Sequence, residues 1–285
     1  MKVAIIGCGT IANSAHIPSY LNNPKAEIKY FCDIIPEKAQ KCVEKYGCGT
    51  AITDYREALA DPEVQAVSVC TPNYAHPEIA IAAMRAGKDV LSEKPAARTY
   101  AEALEMQKVQ HETGRILNIG VVNRFNDYVN CIKKYIEQGK LGKDMPNYVY
   151  KRMWAEDTKD LNGTYDVDDS VTGMIRTDGP TITFNGAWAQ NIGEADTYID
   201  FMGDKGGIRL TYGSTFKLYT TENGALVEYQ PEIKARGHFQ NEIDAFINCI
   251  ETREKLPSHI DTVIITAKIM QAIYDSSETH REIVF

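Results

Sequence analysis

The chain has 285 residues, 44% of them hydrophobic and 25% charged, an ordinary globular composition with room for two modest domains. Its formal net charge of −8 and pI near 5.4 argue against nucleic acid or an anionic membrane as a main partner. No apolar run approaches the ~18 residues of a membrane span, and the seven cysteines are odd in number without a C-x-x-C pair, so the expectation is a reduced, cytoplasmic protein with no disulfide framework and no metal centre.

Residues 1–33 hold the most specific pattern. The apolar run Val3-Ala4-Ile5-Ile6 reads as a strand, Gly7-Cys8-Gly9-Thr10-Ile11-Ala12 as a turn that opens a helix, and residues 28–32 as a second strand ending in Asp33. Each part has a job if a dinucleotide binds. Gly7 permits the tight strand-to-helix turn, Gly9 lets the backbone approach a pyrophosphate, and the small Ala12 lets the helix pack closely on the sheet. The phosphates would rest on the helix N-terminus, with Thr10 and Ile11 beside them, where free N–H groups and the positive end of the dipole favour an anion. Asp33 follows Ala12 by 33 − 12 = 21 residues, close to the ~20 expected of a carboxylate that accepts from the adenosine ribose hydroxyls. Ile34, Ile35 and Pro36 come next, with no Arg or Lys to receive a 2′-phosphate, so NAD is expected rather than NADP.

Strand-like and helix-like segments alternate to about residue 120, the pattern of a doubly wound parallel sheet of the Rossmann type. Residues 65–70 read as the fourth strand, followed by Thr71-Pro72-Asn73-Tyr74-Ala75-His76. Pro77 suits a first helical position with Gly87 as the stop, and Thr99 with Glu102 is spaced as a capping box for a helix that ends at Gly114. Between those helices residues 89–92 form a short strand leading into Glu93-Lys94-Pro95. A sixth strand, residues 116–122, leads into Asn123-Arg124-Phe125. The unusual residues thus follow the first, fourth, fifth and sixth strands, at the carboxyl ends where open α/β sheets bind ligands.

After residue 126 comes an amphipathic helix to about residue 138, then β-rich sequence. Residues 181–188 alternate Ile182, Phe184 and Trp188 against Thr181, Thr183 and Asn185, and similar alternation recurs at 196–202, 207–212, 216–220 and 225–229, so an open, mainly antiparallel sheet is expected. Helical stretches at 239–252 and 261–274 close the chain, the second with Val263, Ile264, Ala267, Met270 and Tyr274 on one face. The expected division is a nucleotide-binding Rossmann domain, 1–122, and an α+β domain for substrate and oligomerisation, 123–285, that includes both closing helices. His238 and His259 read as helix-end residues, and Asp166, Asp168 and Asp169 as a turn.

The glycine loop, Asp33, Thr71-Pro72-Asn73 with His76, and above all Glu93-Lys94-Pro95 before a helix resemble the Gfo/Idh/MocA family, named for glucose–fructose oxidoreductase and inositol dehydrogenase. That resemblance implies NAD on the Rossmann domain and a sugar, cyclitol or related polyol between it and the open sheet. It puts Thr71, Pro72, Asn73, His76 and Glu93 along the nicotinamide half of the cofactor and makes Lys94 the catalytic residue. An ammonium beside the reacting hydroxyl would stabilise the alkoxide-like charge that grows as hydride leaves the carbon. Arg124 is read as a second polar contact near the nicotinamide. Trp154, with Glu156, Asp157 and Lys159, falls where the substrate sheet should begin and is read either as a sugar-stacking surface or as an exposed loop. The resemblance further implies a homo-oligomer. One part of the pattern is missing. Family members carry a first sheet strand and then a helix with Asp-x-Gly-x-His, whose Asp and His bind substrate and serve in proton transfer. Here Lys140-Leu141-Gly142-Lys143 leads almost directly to Met145-Pro146-Asn147-Tyr148, no Asp-x-Gly-x-His occurs, and the chain reads as internally shortened. The leading expectation is an NAD-dependent oxidoreductase. The alternatives are an NAD-using glycoside hydrolase of the same family and a non-catalytic NAD-binding paralogue.

Overall fold

The computed structural model describes residues 1–142, 147–152, 170–187, 197–211 and 215–285, with side chains for all of these but 147–152 and 187. It divides into two units, Met1–Asn126 with Arg236–Phe285, and Asp127–Ala235.

The first unit is built from β1 (Lys2–Ile6), a wide helical turn Ala12–His16 that runs into α1 (Ile17–Leu21), β2 (Glu27–Cys32), α2 (Pro36–Tyr46), β3 (Thr50–Ile52), α3 (Tyr55–Ala60), β4 (Val64–Val69), α4 (His76–Arg85), β5 (Asp89–Glu93), α5 (Tyr100–Thr113) and β6 (Leu117–Gly120). The six strands pair in parallel in the order β3-β2-β1-β4-β5-β6. The order reverses between β1 and β4, and that switch opens a crevice at the carboxyl ends of the strands. Alternation in β1 shows how the sheet is buried on both sides: Val3 and Ile5 pack with Ile17, Tyr20 and Phe31, while Ala4 and Ile6 pack with Val67, Val69 and Ala80 on the other face. The expected punctuation is present. Thr99 and Glu102 form a reciprocal capping box, and Gly114 ends α5 in the left-handed region at φ 61°. The sixth strand stops at Gly120, two residues short of the expectation, because residues 122–125 wind into a single 3₁₀ turn.

The second unit begins with α6 (Asp127–Glu137). Its strands are β7 (Asn147–Arg152), β8 (Ser170–Arg176), β9 (Thr181–Ala187), β10 (Tyr198–Met202), β11 (Gly206–Thr211), β12 (Thr215–Glu222) and β13 (Ala225–Tyr229), ordered β13-β12-β11-β10-β7-β9-β8. Tyr128, Val129, Ile132, Tyr135 and Ile136 recur at helical spacing on α6 and cover Ile208, Leu210, Phe216 and Leu218 of the sheet. All pairs are antiparallel except β7 with β9. The first sheet strand that the sequence reading took as lost is therefore present as β7, in the middle of the sheet. Trp154, Glu156, Asp157, Lys159, Asp166, Asp168, Asp169, Trp188 and Tyr212 lie outside the described residues.

The closing helices correct the expected domain boundary. Helix α7 (His238–Thr252) and helix α8 (Ile260–Thr279) belong to the first unit, one on each face of the parallel sheet. Ile243, Phe246 and Ile247 of α7 are buried in one cluster with Ala66 and Leu91 of the sheet, and each such side chain taken from water contributes ~1.5–3 kcal/mol. Ile260 and Val263 of α8 join the opposite cluster with Met106 and Leu117. The apolar face expected to run the length of α8 is used only in its first half, since Met270 and Tyr274 are exposed. Among the described residues no helix is long and apolar enough to cross a membrane.

Candidate active site

The turn after β1 is held by the chain on both sides. Gly7 N donates to Cys32 O at 2.8 Å, and Cys70 N donates to Ile6 O at 2.7 Å, so the turn lies against the end of β4. Gly7 has φ +93°, and a Cβ there would fall 2.6 Å from Cys70 O. Only glycine fits this position. Gly9 is the opposite case: a Cβ on it would meet nothing within 4 Å, which leaves open space above the backbone where a pyrophosphate would approach. Asn13 pins the loop from below, with Nδ2 donating to Cys8 O at 2.9 Å and to Gly9 O at 3.0 Å, and the Tyr46 hydroxyl donates to Asn13 O at 3.1 Å. Thr10 is exposed, Ile11 is half-buried, and Ala12 is buried against the sheet. The helical turn that follows is widened: Ile17 N bonds back to Ala12 O, and Pro18 has no N–H to return to Ser14.

Asp33 sits at the tip of β2 and is fixed by the same loop. Its Oδ2 accepts from Cys8 N at 2.9 Å and its Oδ1 from Ile35 N at 2.9 Å. Each oxygen keeps a lone pair for a ribose hydroxyl. Ile34 beside it is exposed, and the Cys8 thiol beneath the loop is pushed up by burial, chemically quiet.

The loops after β4 and β5 are stapled together by His76. Its ring is buried, with Nδ1 2.8 Å from Pro95 O and Nε2 2.8 Å from Thr71 O. The sequence places His76 against the cofactor; here a backbone carbonyl from each loop faces one of its ring nitrogens, so the ring joins the two loops. Glu93 is also relocated. It is buried, its Oε1 lies 2.9 Å from His16 Nε2, and its Oε2 accepts from Lys94 N at 3.1 Å, so it shapes the site from beneath. Arg124 is half-buried and its guanidinium donates to Pro257 O, which ties it to the segment before α8. Pro72, Asn73 and Lys94 face outwards here. Pro72 and Asn73 are exposed, the Thr71 hydroxyl is buried without a hydrogen-bond partner among the described residues, and the exposed Lys94 ammonium has no ion-pair or hydrogen-bond partner among them.

These residues fit a dinucleotide. The open space over Gly9, the carboxylate of Asp33 held at its tip, the orphaned Thr71 hydroxyl and the free cation of Lys94 all lie at the carboxyl ends of β1, β2, β4 and β5.

Sequence reasoning missed a polar group under this surface. His16 and Tyr20 are fully buried, as is Ser68, and Glu242 of α7 is 1% exposed with neither carboxylate oxygen partnered among the described residues. Burial, and then the charge of Glu93, push the Glu242 carboxyl up to about 8. One signal was available: Ala12, His16 and Tyr20 are spaced by four, so a helix that buries Ala12 turns His16 and Tyr20 inwards as well. Nothing in the sequence announces Glu242.

Residues 1–121 match the family model described as an oxidoreductase family with an NAD-binding Rossmann fold. D-glucoside 3-dehydrogenase of Escherichia coli (strain K12) is 26% identical over an alignment that covers 98% of this chain and 96% of that protein. That alignment has 339 positions, so at least 339 − 285 = 54 of them fall opposite gaps in this chain. The inositol 2-dehydrogenase/D-chiro-inositol 3-dehydrogenase of Lactiplantibacillus plantarum is 33% identical over 50% of this chain and 42% of its own length, so that match spans less than half of the relative. A solved structure of levoglucosan dehydrogenase in complex with NADH and levoglucosan superposes with a TM-score of 0.84 at 20% identity, covering 99% of this chain and 98% of that one, a likeness of fold.

Proposed function

Because the chain belongs to the Gfo/Idh/MocA oxidoreductases through its Rossmann domain, we propose that it is an NAD-dependent oxidoreductase acting on a sugar, cyclitol or related polyol. The observation that carries the reading is the exposed Lys94 ammonium at the end of β5, without a partner among the described residues and on the same sheet edge as the glycine loop. A bound nicotinamide dinucleotide would supply the hydride acceptor. The chain does the rest: Gly9 and the N–H groups after it receive the pyrophosphate, Asp33 accepts from ribose hydroxyls, and Thr71 offers its hydroxyl to the nicotinamide half. Lys94 binds the reacting hydroxyl oxygen and stabilises its developing charge, an effect that preorganised donors typically supply at ~3–4 kcal/mol.

Three points support the finer choices. The absence of a basic residue at 34–36 favours NAD, since a 2′-phosphate would meet Asp33 and the exposed Ile34. The relatives named for glucosides and inositol favour a polyhydroxylated substrate. The resemblance to a family of oligomers favours association with another copy, for which exposed Val171 and Met174 of β8 and Leu226 and Tyr229 of β13, at the two edges of the second sheet, offer scattered apolar side chains.

The test is calorimetric titration with NAD and NADP of protein checked by absorbance for co-purified nucleotide, followed by a spectrophotometric screen of polyols and glycosides. NAD binding with substrate-dependent reduction establishes the dehydrogenase. Binding without reduction, in a chain that lacks Asp-x-Gly-x-His, assigns it to non-catalytic nucleotide binding unless a glycoside is cleaved, and failure to bind in nucleotide-free protein refutes the site.

A further inference from the structure

Beneath Lys94, four side chains from four elements form a continuous run of hydrogen bonds. The Tyr20 hydroxyl lies 3.2 Å from Ser68 Oγ, Ser68 Oγ lies 3.0 Å from His16 Nδ1, and His16 Nε2 lies 2.9 Å from Glu93 Oε1. Lys94 N closes the run on Glu93 Oε2 at 3.1 Å. A carboxylate only accepts, so Nε2 is assigned the hydrogen; Nδ1 then accepts from Ser68, and Ser68 from Tyr20, with every donor facing an acceptor. Gly120 at the end of β6 makes room for this, since a Cβ there would lie 3.0 Å from Glu93 Oε1.

Such a group is an unusual way to fill a core. Burying unsatisfied polar atoms costs several kcal/mol, and even a well-paired buried ion pair is often no more stabilising than apolar side chains of the same volume. What the run does achieve is a connection. His16 ends the helical turn that begins at Ala12 of the glycine loop, and Glu93 holds the peptide N–H of Lys94. One residue further on, Pro95 O is held by His76. The Lys94 backbone is therefore gripped on both sides while its ammonium stays free.

We propose that His16, acting through the Glu93 carboxylate, is a positioning residue that keeps Lys94 in register with a dinucleotide seated on the glycine loop; this rests on the role given to Lys94 above. The groups facing Glu93 set its surroundings: His16 from the wide turn, the Lys94 N–H from its own loop, and Glu242 from α7. The four side chains of the run are buried, and the effect of removing one is a displaced Lys94.

The experiment compares wild type with His16→Ala and His16→Gln. Gln keeps a side-chain N–H that can reach Glu93; Ala does not. With a polyol that passes the screen, His16→Ala lowers kcat by ~10–10²-fold, the cost of misplacing a reacting group by about 1 Å, while KM and the NAD affinity change little, and His16→Gln recovers part of the loss. A second readout does not depend on turnover. The rate at which Lys94 is acylated by an N-hydroxysuccinimide ester, mapped by mass spectrometry with exposed Lys38 and Lys108 as internal standards, changes in His16→Ala and returns towards wild type in His16→Gln. If wild type turns over no polyol, the reading of Lys94 as catalytic fails, and the acylation comparison alone decides the positioning. Unchanged kcat in folded His16→Ala overturns the proposal. So does a Lys94 acylation rate equal in all three proteins, or a loss in which kcat, NAD affinity and melting temperature fall together in both variants.

Discussion

A methyl group added at Gly7 and one added at Gly9 should have opposite consequences, although the two glycines are two residues apart in the same loop. At Gly7 the backbone has φ +93° and the new Cβ would lie 2.6 Å from Cys70 O. The left-handed conformation costs an L-residue ~1–2 kcal/mol, and forcing the end of β4 away adds ~1–3 kcal/mol of overpacking. A total of ~2–5 kcal/mol, at ~2–4 °C per kcal/mol for a domain of this size, lowers the melting temperature by roughly 4–20 °C. At Gly9 the Cβ meets nothing within 4 Å and the backbone is not left-handed, so Gly9→Ala should melt like wild type. Its methyl enters the space assigned to the pyrophosphate, where an overlap of ~1–3 kcal/mol weakens NAD by about 5–150-fold. Differential scanning calorimetry and isothermal titration with NAD read the two effects separately. Gly9→Ala that binds NAD as tightly as wild type would show that the dinucleotide does not approach the loop there. Gly7→Ala with an unchanged melting temperature would refute the close passage of the turn against Cys70.

Lys94→Ala should leave melting temperature and NAD affinity near wild type, because the side chain is exposed and unpartnered, while turnover falls ~10²–10³-fold; a variant that keeps its activity removes Lys94 from the chemistry. Glu242 tests the buried polar group through pH. Its carboxyl is pushed up to about 8 by burial and by Glu93, with Cys70 and Tyr20 also in its field, so between about pH 4.5 and 8 the folded chain holds a proton that the unfolded chain has released, and stability falls as pH rises across that window. Glu242→Gln should flatten the fall and melt higher at pH 8, and melting curves of equal slope for both proteins would contradict the assignment. At Asp261, near the start of α8, burial pushes the carboxyl up, but hydrogen bonds from Lys255, Gln107 and His111 prevail and hold it well below the usual range. That stabilisation is full above the ordinary carboxylate range and is lost as pH falls towards the lowered value, so Asp261→Asn should destabilise the protein at pH 7 and converge on wild type in strong acid, which denaturant melts at both pH values would check.

Much of the nucleotide half was legible because its determinants are local. A glycine forced by one turn, a capping box four residues long, and apolar runs bounded by Pro and Gly each report their structure from a few neighbouring residues. The site residues divided differently. Gly7, Gly9, Ala12, Asp33 and Lys94 lie at the carboxyl ends of β1, β2 and β5, whereas His76, Glu93 and Arg124, which the sequence offers as cofactor contacts, are engaged with other parts of the chain. A sequence shows that a histidine is present but not which carbonyls face its two nitrogens.

By itself, then, the sequence determined the strand, turn, helix and strand of residues 1–33, the elements that follow to residue 120, and the free lysine at the end of β5, since backbone propensity and hydrophobic period act over a few residues at a time. Only the tertiary structure decided that α7 and α8 close the two faces of the parallel sheet, that β7 lies parallel to β9 in the middle of the other sheet, and that Tyr20, Ser68, His16 and Glu93 meet under Lys94 with Glu242 in their field. Those outcomes join residues that are 35 to more than 200 positions apart. Which apolar face is left bare, and which buried carboxylate faces another, is fixed by the packing of the finished sheet and by no stretch of chain taken alone.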